Sequence, residues 1–193
     1  MVGLGAGVTA AYCRPGDVFR FYEINPLDLN IANTWFTFLK DCPADRDVLM
    51  GDARLTMERQ PSQQFDLIAV DAFSSDAIPV HLLTREAFVL YFRHLKPNGI
   101  LAVHVSNRYL NLTPVVSRNA QDVSKAAILI DDGDQQIEYD YLTSSDWVLV
   151  TSDPAVNMFT DPLFQAQGIT RAKMRPDLRP WTDDYSNLFQ ILK

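Results

Sequence analysis

Between Phe65 and Val70 the chain reads FDLIAV, a run with no polar face. This pattern predicts a strand buried on both sides, as in a parallel sheet covered by helices. Similar apolar runs predict further strands at Val18 to Ile24, Asp47 to Met50, Ile100 to Val105, Ala126 to Ile130 and Asp146 to Thr151. Met1-Val2 is the stub of a first strand. Since a full strand needs about five residues, the chain is expected to be shortened at its N-terminus. Helical spacing fills the gaps. Val8 to Cys13 should open a helix. Pro26 to Leu39 carries Leu29, Ala32, Trp35, Phe36 and Leu39 on one face. Ala53 to Arg59 is a short helix. Thr84 caps a helix that runs to Leu95, with Ala87, Phe88, Tyr91 and Leu95 inward. Lys96 to Gly99 is a turn, and Pro114 to Lys125 is a helix. Asp153 to Pro180 is loop-like, with one short helix near Pro162 to Gln167. Asn187 to Leu192 fits either a strand or a helix. Alternating strands and helices predict an α/β fold with a doubly wound, mostly parallel seven-strand sheet. The polar connection between the last two strands suggests one antiparallel strand at an edge.

With 193 residues, 47% hydrophobic and 21% charged, the chain is expected to form a single domain over 1–193. Its net charge of −7 argues against a nucleic-acid surface and suits a cationic small molecule. The two cysteines, Cys13 and Cys42, form no CxxC. They predict a reducing, cytoplasmic setting without a disulfide or zinc site. The apolar N-terminus lacks the basic start of a signal peptide, and no run approaches the roughly 20 residues of a membrane span. A short first strand leaves an exposed sheet edge, which leads us to expect a homo-oligomer, a dimer at the simplest.

Gly3, Gly5 and Gly7 lie where the first strand turns toward a helix, and glycine lets the backbone there touch a ligand. Glu23 follows the first glycine by 23 − 3 = 20 residues, at the end of the second strand. An acid there grips the hydroxyls of an adenosine ribose. A dinucleotide fingerprint needs a further glycine where this chain has Val8. The loop therefore suits S-adenosylmethionine, which has no pyrophosphate. Asp52 can accept from an adenine amino group, with Ala53 offering its N–H; Asp52 also suits the N-cap of the helix that follows.

Asp71 and Asp76 flank Ala72-Phe73-Ser74-Ser75 at the carboxyl end of the FDLIAV strand. A protonated amine must lose a proton before it attacks a sulfonium-activated carbon, and a nearby carboxylate can take it. In the plainer alternative Asp71 is a turn residue and Asp76 an N-cap or Asx-turn. His81, His94 and His104 show no metal spacing; His81 and His94 read as surface groups and His104 as an interior one. Trp181 to Tyr185 reads as a capped C-terminal segment, with Thr182 or Asp183 as cap, or as an acidic flap over Asp71 and Asp76.

The segments GLGAG, FYEINP, GDARL, FDLIAVDAFSSDAIPVHLLTREAF and WTDDYSNL resemble the spermidine synthase (polyamine aminopropyltransferase) family, more closely its bacterial spermidine-synthase-like branch. The resemblance runs from Val2 to about Pro114 and resumes at Trp181 to Leu188. It implies the class I S-adenosylmethionine-dependent methyltransferase sheet and transfer of an aminopropyl group from decarboxylated S-adenosylmethionine to a small-molecule amine, leaving methylthioadenosine. It assigns Gly3, Gly5, Gly7 and Glu23 to the nucleoside and Asp52 and Ala53 to the adenine. Asp71 becomes the base and Asp76 the residue that positions the amine. No metal is implied. The chain departs from the family at Ala6, where an Asp usually pairs with the aminopropyl amine. It also has four residues, not two, between the acids of the strand-end loop, and the family's N-terminal β-hairpin domain is expected to be missing, because the sequence starts after it. Two rival readings follow: a methyltransferase using intact S-adenosylmethionine, and a degenerate nucleoside-binding module.

Overall fold

The structure, a computed structural model, describes residues 1–72, 79–131, 145–152 and 169–193. It separates into two compact units. The first comprises Met1–Pro61 with the described part of Val70–Phe73; the second comprises Ser62–Ala69 with the described part of Ser74–Lys193.

The first unit is built on two parallel strands, β1 (Val18–Glu23) and β2 (Asp45–Met50), in register from Val18 opposite Asp45 to Glu23 opposite Met50. Val2 bridges Tyr22 on one side and Val70 on the other, both in parallel sense. The stub of the first strand thus bridges Tyr22 near the end of β1 and Val70. The expected helix after the glycines is a 3-10 turn, Val8–Tyr12, whose start is Gly7 in the left-handed region with no side-chain cap.

The single helix expected over Pro26 to Leu39 is two, α1 (Pro26–Trp35) and α2 (Phe38–Asp41). Phe36 is extended and interrupts the helical period. Trp35, expected inward, is 78% exposed, while Leu39 is buried as expected. Leu39 joins Leu4, Ala10, Phe21, Ala32 and Cys42 in the core of this unit. Helix α3 (Ala53–Arg59) follows β2, with Met57 buried.

The same core holds a correction. Cys13 and Cys42 form a disulfide, with their Cα atoms 5.4 Å apart. They are 29 residues apart in sequence, so their spacing gives no hint of pairing. Packing of α2 against the Val8–Tyr12 turn brings them together. The ground for inferring a reducing compartment is thereby removed. In the chain-entropy account, closing a loop of that length stabilises the folded state by about 3 to 4 kcal/mol.

Tyr22 is buried in the same unit and donates to Gln60 Oε1 at 2.8 Å. Burial raises its pKa above 10.0, against a smaller opposing effect of the Arg20 charge. The unfolded chain releases this proton first as pH rises, so stability falls above about pH 10. Tyr22→Phe is expected to flatten that part of the alkaline unfolding curve; denaturant midpoints between pH 9 and 11 check it.

The second unit holds β4 (Leu95–His104), β5 (Ala126–Ile130), β6 (Trp147–Thr151), β7 (Ile169–Arg171) and most of β3 (Phe65–Val70). The sheet order is β3-β4-β6-β5-β7. Strand β6 runs antiparallel to both β4 and β5 and lies between them, not at the edge where the sequence places it. The edge belongs to β7, antiparallel to β5, within a stretch read from sequence as loop. Three residues are too few for alternation to register. Strand β3, expected to be buried on both faces, leaves Leu67 55% exposed. Residues 96–99, expected as a turn, extend the start of β4, where Lys96 pairs with Asp66 at 2.6 Å. The short helix expected near Pro162 lies outside the described residues.

Helix α4 (Arg85–His94) begins at Thr84, whose Oγ1 accepts from Ala87 N–H, as expected. It buries Ala87, Phe88, Leu90, Tyr91 and His94; His94 therefore faces the core, not solvent. Helix α5 (Thr113–Asp122) packs on α4 and β5. Its buried Asn119 accepts from Trp181 N–H at 3.1 Å and donates to Leu83 O at 2.7 Å. Asp183 then accepts from Thr84 Oγ1 at 2.8 Å, and its N–H donates to Glu86 Oε2 at 3.1 Å. The C-terminal segment thus docks on the start of α4. A 3-10 turn, Leu188–Ile191, closes the chain, and its cap is Asn187 rather than Thr182 or Asp183. Among the described residues no helix is long and apolar enough to cross a membrane.

Candidate functional site

Most of the candidate residues belong to the first unit and meet where its parallel strands end. Gly3 follows Val2, Glu23 ends β1, Asp52 lies two residues beyond β2, and Asp71 follows Val70. Three backbone bonds tie these ends together. Gly3 N–H donates to Tyr22 O at 2.9 Å, Gly51 N–H to Glu23 O at 2.8 Å, and Asp71 N–H to Val2 O at 2.9 Å. Such an edge is where ligands of open α/β sheets bind.

All three glycines of the loop have positive φ: +91° at Gly3, +53° at Gly5 and +79° at Gly7. At Gly3 the need for glycine is double, since a Cβ there would run into the carbonyl of Asp71. At Gly5 a Cβ would meet open space. That space lies directly over the loop backbone, so an approaching ligand touches the main chain rather than a side chain.

Glu23 is 6% exposed and holds the loop in shape. Its Oε2 accepts from Leu4 N–H at 2.8 Å and its Oε1 from Asn25 N–H at 2.7 Å. Each carboxylate oxygen has lone-pair capacity beyond one such bond, so the group can still accept from two neighbouring hydroxyls. Asp52 is the N-cap of α3, with Oδ1 accepting from Leu55 N–H at 2.9 Å. Capping occupies that oxygen and fixes where the carboxylate stands; Ala53 is the first residue of the helix. Asp76 lies outside the described residues. Among the described residues no group of three His, Cys, Asp or Glu side chains could hold a metal ion.

Sequence reasoning missed three parts of the site. Glu23 also holds the Leu4 N–H, across 19 residues of chain. Asn25, read only as a breaker, gives its N–H to Glu23 while its side chain accepts from Leu27 N–H at 3.0 Å and caps α1. Ile24 is 68% exposed directly beyond Glu23, an apolar side chain at the ligand-facing strand end. The signal for Ile24 was an apolar residue between an acid and Asn25-Pro26, where a strand is already ending.

Among curated proteins, the chain is 33% identical over 109 residues to a polyamine aminopropyltransferase from Vibrio vulnificus, covering 54% of this chain and 36% of that protein. In fold it matches a probable spermidine synthase from Corynebacterium glutamicum with a TM-score of 0.65 at 18% identity, over 97% of this chain and 73% of the other. Over those 109 residues the chain is similar in sequence to polyamine aminopropyltransferases. It spans only about a third of the length of the Vibrio relative.

The chain is also 32% identical over 110 residues to an N-terminal histidine N-methyltransferase from Emericella nidulans, covering 54% of this chain and 19% of that protein. It shares its fold with an O-methyltransferase from Streptomyces achromogenes solved in complex with S-adenosylmethionine: TM-score 0.51, 14% identity, 78% of this chain and 70% of the other. The fold is accordingly that of spermidine synthases and class I methyltransferases, an α/β sheet with helices. No family model matches the chain.

Proposed function

We propose that residues 1–193 form the catalytic domain of an aminopropyltransferase, moving the aminopropyl group of decarboxylated S-adenosylmethionine to a small-molecule amine. The observation that carries this reading is the joining of Gly3, Glu23 and Asp71 at one strand edge. The loop backbone touches Glu23 through the Leu4 N–H and Asp71 through Val2. A nucleoside on Gly5 would meet Glu23 with its ribose and Asp52-Ala53 with its adenine. Asp71 would then stand beside the sulfonium end, with Asp76 positioning the amine.

In the reaction the amine nitrogen forms a bond to the aminopropyl carbon as the C–S bond breaks. The bonding pair goes to sulfur and leaves neutral methylthioadenosine. Asp71 takes the proton that the amine must shed, and general-base help of this kind contributes about 10²–10⁴ in rate. The net charge of −7 favours approach of a cationic substrate.

Methyl transfer from intact S-adenosylmethionine is the second reading. Ala6 favours it, since nothing at that position selects against a carboxylate, and so does the likeness to a histidine N-methyltransferase. Calorimetric titration with S-adenosylmethionine, its decarboxylated form and methylthioadenosine separates the two. Tighter binding of the decarboxylated form is expected. Preference for the intact form hands the chain to methyl transfer, and no binding of any of the three refutes the nucleoside site.

A further inference from the structure

We propose that the Cys13–Cys42 disulfide is a redox clamp on the glycine loop, holding the nucleoside site formed when oxidised and loosening it when reduced. The consequence for binding rests on the nucleoside reading given above; the clamp itself rests on what surrounds the bond. Cys13 directly follows the Val8–Tyr12 turn that the glycine loop opens. Cys42 ends α2.

Helix α2 is the floor of the loop. Leu39, on its second residue, lies so close to Gly7 that a Cβ there would sit 3.2 Å from Leu39 Cγ. Beyond Leu4, the side chain that anchors this stretch in the core is the small Ala10. From Gly7 to Cys13 the hydrogen bonds close within the segment: Gly7 N–H to Leu4 O, Ala10 N–H to Gly7 O and Cys13 N–H to Ala10 O. No side chain caps the turn. Three glycines in positive φ make this a stretch with much freedom to lose on ordering. The disulfide adds a covalent tie from the end of this stretch to its floor.

Opening the clamp needs an external dithiol. Its thiolate attacks the sulfur of Cys13, the more exposed of the two cysteines. The Cys13–Cys42 bond breaks and Cys42 leaves as a thiolate that takes up a proton. The second thiol of the reductant then resolves the mixed disulfide, releasing the oxidised reductant and the Cys13 thiol. The chain gains two electrons and two protons, and the reductant loses the same.

The test compares the oxidised chain, the dithiol-treated chain and the C13S/C42S double variant. Each is titrated with methylthioadenosine and followed by amide hydrogen exchange. Reduction is expected to weaken methylthioadenosine binding about tenfold and to speed exchange over Leu4 to Tyr12 while β1 stays protected. The double variant should match the reduced chain and ignore the dithiol. Unchanged loop exchange overturns the clamp. Faster loop exchange with unchanged affinity overturns its hold on the site, and lost protection in β1 as well makes the bond a general staple and overturns it too. If the oxidised chain binds no methylthioadenosine, the nucleoside reading fails and loop exchange alone decides the clamp.

Discussion

Replacing Asp71 with asparagine is expected to cut turnover by about 10²–10⁴-fold, the usual contribution of a positioned general base. Methylthioadenosine affinity should stay within about threefold, because the substitution is isosteric and the nucleoside is held elsewhere. The backbone role of Asp71 survives the change, since its N–H still donates to Val2 O. Steady-state kinetics with decarboxylated S-adenosylmethionine and an amine, alongside calorimetry, read both quantities. Loss of affinity together with turnover would make Asp71 part of the nucleoside cradle. Unchanged turnover would remove it from the chemistry altogether.

Gly3→Ala should be the most damaging single change to the fold of the first unit. Placing an L-residue in left-handed backbone costs roughly 1–2 kcal/mol. Overpacking adds typically 1–3 kcal/mol, here because the new methyl would run into the carbonyl of Asp71. Together these reach about 2–5 kcal/mol, a large share of the roughly 5–15 kcal/mol that hold a domain together. Gly5→Ala is the control. Its φ of +53° carries the conformational cost, but the methyl meets open space. Denaturant unfolding should rank Gly3→Ala well below Gly5→Ala in stability. If nucleoside lies on Gly5, the second variant should instead lose methylthioadenosine affinity with its fold kept. Equal stability of the two variants would mean that the close approach at Gly3 is relieved by movement of the Asp71 backbone.

What could be read from the sequence follows from how local each signal is. Thr84 and the spacing behind it predict α4 well, because capping and amphipathic periodicity act within a few residues. Phe65 to Val70 is a strand for the same reason. The glycine loop was legible because only glycine tolerates three nearby positive φ values. Sequence did not show what depends on distant packing. The break at Phe36 and the exposure of Trp35 are of this kind, since nothing in the run from Pro26 to Leu39 forbids one continuous helix; Leu39 is inward as expected. The Cys13–Cys42 bond depends on α2 meeting the Val8–Tyr12 turn, a contact that residue spacing does not encode. The interior place of β6 likewise depends on which neighbours β4 and β5 choose. At the site, Glu23 was singled out for its position after the glycines, but its bonds to Leu4 and Asn25 follow only from the way β1 ends beside the loop.

Those two bonds bear on protein engineering. The GLGAG segment is not a portable cassette, because part of its shape is written 19 residues downstream in Glu23. A graft of the loop into another scaffold carries its geometry only if the acid travels with it, on a strand that ends at the same height. By the same token, exchanging Glu23 alone alters the loop's scaffold as well as any contact to the proposed nucleoside, so a binding defect in such a variant conflates the two.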